Sequence, residues 1–494
     1  MNILLVYPEF PDTFWSFKHA LAFVGKKAAL PPLGLLTVAA LLPADWKARL
    51  VDLNVRPLAK ADLAWADMAF VSAMAVQRRG VLQAVARLKA AGLPVVAGGP
   101  LFSDGLEAFG DVDHFVLNEA ELTLPPFLAD LAAGCAKRVY ATGEHADLAR
   151  TPPPRWDLLE FRRYACMSIQ FSRGCPFDCD FCNVTALLGR KVRTKTAAQV
   201  IAELDALAAA GWSGEVFFVD DNFIGNKAVL RQELLPALID WRRAHPGVLF
   251  YTEASINLAD DADLMALMAR AGFYKVFIGI ETPEEKSLAE CSKGQNRNRD
   301  MVEDVKKIQR AGLQVQGGFI VGFDHDPPSV FQRQIDFIQK SGIATAMVGL
   351  LQAPPGTRLF ERLKREGRVS GWSSGDNVDG TTNIMPVMSM EALKAGYRRI
   401  LDTIYAPGPY YERVRTFLKE YGATKARGKM RAFHILAVVR ALVRLGLLGE
   451  GRREFWKLMV WTQLCRPRLL PDAVILAITG YHFRKVCEKA RLAK

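Results

Sequence analysis

Cysteine is scarce. There are eight in 494 residues, and five of them (Cys135, Cys166, Cys291, Cys465 and Cys487) stand far apart. That is too few for a disulfide scaffold, and the pattern is that of a chain kept in a reducing, cytoplasmic setting. Long apolar runs are lacking as well. The most apolar stretches, 30–43 and 469–483, fall short of the roughly 20 residues that span a bilayer, so no transmembrane segment is expected. The opening MNILLVYPEF has neither the basic leader nor the cleavage pattern of a secretory signal. Long repeats and low-complexity tracts are missing too. Acidic residues run short only at one end. Residues 411–494 hold 19 Lys and Arg against 6 Asp and Glu, whereas the first 410 hold 45 against 46. Such an end fits a negatively charged partner, nucleic acid or an anionic membrane surface, and equally a set of solvated helix faces.

What is present reads as a folded chain of two to four domains, half apolar and about a quarter charged. Over residues 1–140, β-like runs at 2–8, 47–53, 68–74, 94–100 and 114–118 alternate with helical patterns at 32–43, 80–92 and after 118. This alternation predicts a doubly wound, Rossmann-like parallel sheet, with ligands beyond the strands' carboxyl ends. Residues 141–165, with the Pro-rich TPPPRWD at 151–157, form a linker. Over 166–370 the pattern restarts with strands expected at 166–172, 214–222, 248–256, 275–281, 313–322 and 344–352. Six β-α units predict a partial (β/α)6 barrel of TIM type with its chemistry on the loops after the strands. Residues 371–494 read as an α-helical, basic domain.

The remaining three cysteines, Cys175, Cys179 and Cys182, lie in one eight-residue window, RGCPFDCDFCNV, just after the first barrel strand. A zinc ribbon needs a second Cys/His pair, and no His lies within 25 residues of the trio. An ordinary 4Fe–4S cluster takes four thiolates. Three leave one iron open for another ligand.

The C-x3-C-x2-C loop, with Phe181 just before its last cysteine, resembles the signature of the radical S-adenosylmethionine superfamily. The resemblance implies a 4Fe–4S cluster on Cys175, Cys179 and Cys182, with S-adenosylmethionine on the open iron. One electron then cleaves the sulfonium to a 5'-deoxyadenosyl radical, and the protein orients and excludes water. It further implies roles in S-adenosylmethionine binding for the ends of the later strands. Asp220, Asp221 and Asn222 stand where the methionine amino end is received, without the family's Gly-Gly-Glu wording. Glu253, Ser255 and Glu281 fit ribose hydroxyls, and Gly318 and Gly322 fit close approach of adenine. A single carboxylate at such a position is equally a cap or an ion-pair partner.

A doubly wound domain ahead of such a barrel resembles the cobalamin-binding class of the superfamily. Ser72 in VSAM, and Gly98 and Gly99 in VVAGGP, match its nucleotide-tail contacts, the glycines being equally a strand-end turn. The Asp-x-His-x-x-Gly motif that supplies a lower cobalt ligand is absent. His19 is read as a surface or substrate-channel residue, and the aromatic loop 7–32 as cavity lining or interdomain core. The C-terminal helices, above all 402–418, resemble the extension of hopanoid-methylase-like members. The resemblance implies a cobalamin-dependent methyltransferase acting on an unactivated carbon of a small-molecule or lipid substrate. Its expected partners are a flavodoxin or ferredoxin as reductant and peripheral membrane contact through the basic helices, with nucleic acid disfavoured. The rivals are a non-methylating radical oxidoreductase or cyclase and an iron-sulfur sensor or nucleic-acid-binding module.

Overall fold

The computed structural model describes residues 1–103, 105–422 and 432–492. The first six strands, β1 (Asn2–Tyr7), β2 (Lys47–Asp52), β3 (Met68–Ser72), β4 (Val95–Gly98), β5 (His114–Val116) and β6 (Val139–Tyr140), form one parallel sheet in the order β2-β1-β3-β4-β5-β6. Its strands are apolar along their length because helices cover both faces. Ile3 and Leu5 pack with Leu35, Phe70 and Phe127, while Leu4 and Val6 pack with Val81, Val85 and Leu88. The order reverses between β1 and β3. That topological switch point opens a crevice at their carboxyl ends. Strand β6 was not expected, and the expected strands are each trimmed at one or both ends.

The second sheet is also parallel, in the order β7 (Met167–Ile169), β10 (Val216–Phe218), β11 (Phe250–Ala254), β12 (Phe273–Glu281), β13 (Gln314–Val321) and β14 (Thr345–Leu350). Six strands in chain order make the open barrel that the β-α alternation predicts. Val276, Ile278 and Ile280 of β12 are buried against the outer helices with Val305 and Ile308. The alternate residues Lys275, Phe277 and Gly279 therefore face the concave interior. A short antiparallel hairpin, β8 (Ser172–Arg173) with β9 (Arg193–Thr194), closes off residues 174–192.

Beyond β14 come a helix at Arg358–Arg365, an irregular stretch over 367–389, and then helices at Met390–Ile404, Pro407–Glu420, Ala432–Ala441 widening into a π-turn at Leu442–Leu447, Arg452–Cys465 and Leu470–Leu492. The 402–418 motif is the joint between barrel and helices. Tyr405 donates its hydroxyl to Ala346 O of β14 (2.5 Å) and Tyr410 to Leu476 O (2.5 Å). Arg413, fully buried, donates to Gln339 Oε1 (2.5 Å) and Ile404 O (2.8 Å) and lies against both tyrosine rings. The aromatic loop 7–32 carries a turn at Phe14–Ser16 and a helix at Lys18–Val24. Phe14 meets Phe483 (5.0 Å between ring centres), Phe23 meets Tyr481 (5.5 Å), and Trp15 reaches Phe277 on the concave barrel face (5.0 Å). The loop thus serves as interdomain core.

Candidate active site

Hairpin β8–β9 presents the cysteine loop at the carboxyl end of the barrel. The loop leaves β8 through Gly174, whose φ of 94° and crowding (an added Cβ would lie 2.7 Å from Lys191 O) leave glycine as the fitting residue. Arg358 fastens the loop by pairing with Asp178 (2.9 Å) and Asp180 (2.5 Å). Phe181 packs edge-on against Phe323 (6.1 Å). An open cleft lies beside the loop, lined by Asp178, Cys179, Cys182, Arg190, Thr357 and Arg358.

Burial pushes the Cys182 thiol up to about 12 and raises Cys175 and Cys179. These thiols are neutral until something positive replaces their protons. Side-chain amides point at two of them: Asn222 Nδ2 donates to Cys175 Sγ (3.9 Å) and Gln295 Nε2 to Cys179 Sγ (3.8 Å). Donors aimed at sulfur tune iron–sulfur ligands. Among the described residues, no three His, Cys, Asp or Glu side chains converge as a cage for one metal ion. A four-iron cluster takes one thiolate per iron, so separated sulfurs on one loop fit it.

Strands β10 and β11 end in carboxyl groups next to this loop. Asp220 is fully buried and accepts from Phe171 N (3.1 Å), Ser172 Oγ (2.5 Å) and Ser172 N. Both of its oxygens are thus engaged in holding the chain that enters the cysteine loop. Asp220, which the resemblance places at the methionine amino end, is tied to Phe171 and Ser172 of that segment. Asp221 and Glu253 are half-buried. Burial raises Asp220 to about 7 and Asp221 to about 6, and burial followed by the two aspartates raises Glu253 to about 8. Neither Asp221 nor Glu253 forms an ion pair among the described residues. Three crowded carboxyl groups of this kind attract a cation, which would lower all three. Ser255 joins the group through Asn222 Oδ1 (3.4 Å) and Asn257 Oδ1 (2.6 Å).

Glu281 sits at the end of β12 with a left-handed φ of 64°, where the register with β13 shifts. Such a conformation persists only if pinned. Asn296 donates to Gly279 O and Ile280 O (both 3.0 Å) and Gln334 to Glu281 O (2.9 Å). The carboxylate accepts from Lys293 Nζ at 2.7 Å. Burial works against the charge on Lys293, but Glu281 and Cys179 outweigh it and raise its pKa. Gly318 faces the interior, where a Cβ would lie 2.9 Å from the Phe277 ring. Gly322 (φ 111°) instead turns toward Leu393, its N–H held by Asp326 Oδ2 (2.8 Å). It shapes the turn after β13.

In the first sheet, Ser72 ends β3 beside the glycine pair. An added Cβ at Gly98 would lie 2.6 Å from Val116 O, and at Gly99 (φ 96°) 2.8 Å from Ser72 Oγ and 2.9 Å from Ala73 O. The chain's own packing requires both glycines. His19 is partly exposed, with 21% of its side chain open. It packs beside His482 (5.7 Å between rings) and 3.6 Å from Asp12.

Sequence reading missed the joint between the two sheets. Glu119, after β5, is buried and accepts from Arg173 of β8 (2.8 Å) and Arg193 of β9 (2.6 Å), while Glu121 accepts from Arg173 (2.8 Å). These pairs clamp the base of the cysteine loop to the first domain. The only sequence signal was Arg173 abutting the trio. Lys293 and Gln295 carried none.

Comparison with known proteins matches this geometry. The model of the radical SAM superfamily matches residues 169–338, and a domain of unknown function, DUF4070, matches 357–494. An uncharacterized methyltransferase from Synechocystis sp. is 40% identical over 99% of this chain and 93% of its own. The hopanoid C-2 methylase of Rhodopseudomonas palustris is 34% identical over 92% of this chain and 88% of its own.

The chain belongs to the radical SAM methyltransferases.

Solved structures show the same fold. OxsB, a cobalamin-dependent radical enzyme with aqua-cobalamin and S-adenosylmethionine bound, superposes with a TM-score of 0.62 at 15% identity, covering 100% of this chain and 80% of that one. TsrM from Kitasatospora setae, with cobalamin and a 4Fe–4S cluster, gives 0.57 at 17% identity over 100% and 99%. As a radical SAM enzyme the chain uses a 4Fe–4S cluster and S-adenosylmethionine, and the amides aimed at its cysteine sulfurs suit the first of these.

Proposed function

We propose that this radical SAM methyltransferase uses cobalamin and acts on an unactivated carbon of a small-molecule or lipid substrate. The observation that carries the reading is the cysteine trio, served by amide donors and adjoined by carboxyl groups without a cation. When bound, the cluster supplies an electron to S-adenosylmethionine and cobalamin carries the methyl group. In this reading Cys175, Cys179 and Cys182 hold the iron. Asp221, Glu253 and Asn222 orient the cationic end of S-adenosylmethionine, and Asp220 sets the loop's height over the barrel. Glu281, fixed by Lys293, faces the ribose with Ser255, and Gly318 keeps the adenine side open.

The reading assigns residues 1–140 to cobalamin, 141–165 to a linker, 166–370 to the radical barrel and 371–494 to the helical domain. The β1/β3 crevice supports the first assignment, as does Met74 at its mouth, 51% exposed. An exposed apolar side chain there suits contact with a flat macrocycle. Ser72, Gly98 and Gly99 shape the adjoining turn. A small reductant of the flavodoxin or ferredoxin kind would approach beside the cysteine cleft, where Arg190 and Arg358 are more than half exposed and share Asp178. Hopanoid C-2 methylase among the relatives supports a lipid substrate, which peripheral contact with a membrane through the basic helices would serve.

The test is anaerobic reconstitution of the full chain with iron, sulfide and hydroxocobalamin, then dithionite and S-adenosylmethionine. The expected outcome is about four irons per chain, bound corrinoid and release of 5'-deoxyadenosine. Replacing any one of the three cysteines by Ala is expected to abolish that release. Release without bound corrinoid would favour the non-methylating reading, and no release with a loaded cluster would overturn the enzyme reading.

A further inference from the structure

Of the 18 large apolar side chains recorded as exposed among the described residues, 11 lie between Ile435 and Ile475. Two stripes carry most of them. On the helix through 432–447, Ile435, Val439 and Val443 recur at four-residue spacing and are 59, 50 and 41% exposed. On Arg452–Cys465, Trp456, Val460 and Leu464 do the same at 43, 55 and 78%. The turn between the helices adds Leu447 and Leu448 at 63 and 76%. The stripes join where Trp456 donates its indole N–H to Gly446 O (3.0 Å). A continuous apolar face of this size marks a binding surface.

Its rim is basic. Residues 432–468 contain seven Arg and Lys against two Glu, and Arg444, Arg452, Arg453, Lys457 and Arg468 are exposed. In an isologous dimer the face would meet itself, bringing basic rims together. An anionic bilayer instead complements both the apolar stripe and the rim. No helix of the described chain is long and apolar enough to cross a membrane, so contact would be interfacial.

We propose that the helical hairpin of residues 435–464 inserts Leu447, Leu448, Trp456, Val460 and Leu464 into the surface of an anionic lipid bilayer. This deepens the lipid-substrate reading and rests on it for purpose, not for geometry. The inserted hairpin is tied to the barrel interior. Arg440 donates to Ala22 O and Phe23 O (both 3.0 Å), and that same segment places Trp15 on Phe277.

The full chain is floated with vesicles of phosphatidylcholine containing phosphatidylglycerol, and with phosphatidylcholine alone, at low and high salt. Binding is expected to the anionic vesicles and to weaken with salt. The Leu448→Asp/Leu464→Asp variant, altered at two solvent-facing sites, is expected to bind at least tenfold less with an unchanged melting curve. Arg452→Glu/Lys457→Glu supplies an independent second variant with the same expectation. Indifference of the native chain to anionic vesicles, or undiminished binding by the Asp variant, overturns the proposal. So does a dimer that either variant dissociates. Vesicle binding needs no cofactor, so failure here leaves 5'-deoxyadenosine release untouched, and failure of that release leaves vesicle binding readable.

Discussion

Glu253 carries an unresolved charge problem that pH exposes. Its folded pKa, near 8, and those of Asp220 and Asp221, near 7 and 6, all exceed the ordinary carboxylate values. The folded chain therefore binds more protons than the unfolded one between about pH 4 and 8, and stability falls as pH rises through that window. Glu253→Gln is expected to stabilise the cofactor-free protein by about 1–3 kcal/mol at pH 8, flattening the slope in urea melts across pH 5–8. The same variant is expected to bind S-adenosylmethionine more weakly by equilibrium dialysis, because the carboxylate that repels its neighbours is the one that attracts the ligand. Sequence made the three cysteines legible because their spacing is local and few chemistries use it. It could not separate Asp220 from Asp221, since two adjacent carboxylates read alike until the fold turns one into the backbone of β7–β8. Glu281 was found, but its left-handed backbone and its partner Lys293 depend on a bulge that no one-dimensional pattern encodes.

At the scale of elements, the cysteine loop is held from both sides. Arg358 grips its acidic residues, and Glu119 and Glu121 grip the hairpin at its base through Arg173 and Arg193. Removing one partner of a buried ion pair leaves the others uncompensated, at a cost of about 3–5 kcal/mol. Arg173→Met is expected to destabilise the chain by about that much in denaturant titration, and to lower the iron retained after gel filtration by loosening the loop. Unchanged stability would mean that the cluster of charges is already solvated. Most strands were readable because parallel, doubly covered strands are continuous apolar runs between turn residues. Strand β6 is two residues long, and hairpin β8–β9 four in all, too short to show a period. The helix Ala120–Ala132 was readable even though it contains Pro125 and Pro126, because its apolar face spans the interruption. The Glu119 joint was invisible: its partners lie 54 and 74 residues away.

For the whole molecule, the two ends of the chain matter most. His482 of the last helix is fully buried and donates from Nε2 to Phe14 O (3.1 Å). Burial lowers its pKa to about 4, with His19 adding to the effect and Asp12 opposing it. Lys18, Lys485 and Lys489 also surround this joint, raising the local cost of another positive charge. The unfolded state then binds the extra proton between about pH 6.5 and 4, so this contribution is intact above that window and about 3 kcal/mol is lost on crossing it downward. The protection of amides in Lys18–Val24 and Leu470–Leu492 against hydrogen exchange, relative to the intrinsic rate at each pH, is expected to fall together as pH falls from 7 to 5, and His482→Asn is expected to blunt that change. Protection insensitive to pH in both segments would dismiss the coupling.

Lys489 reaches back to Asp12, 477 residues earlier. The aromatic loop 7–32 and the helix Leu470–Leu492 are therefore joined in space. A swing of the first domain would have to part this pair and the Glu119 and Glu121 clamp together. A guest as bulky as a corrinoid would have to enter the crevice of the first sheet either before these contacts form or while they are parted.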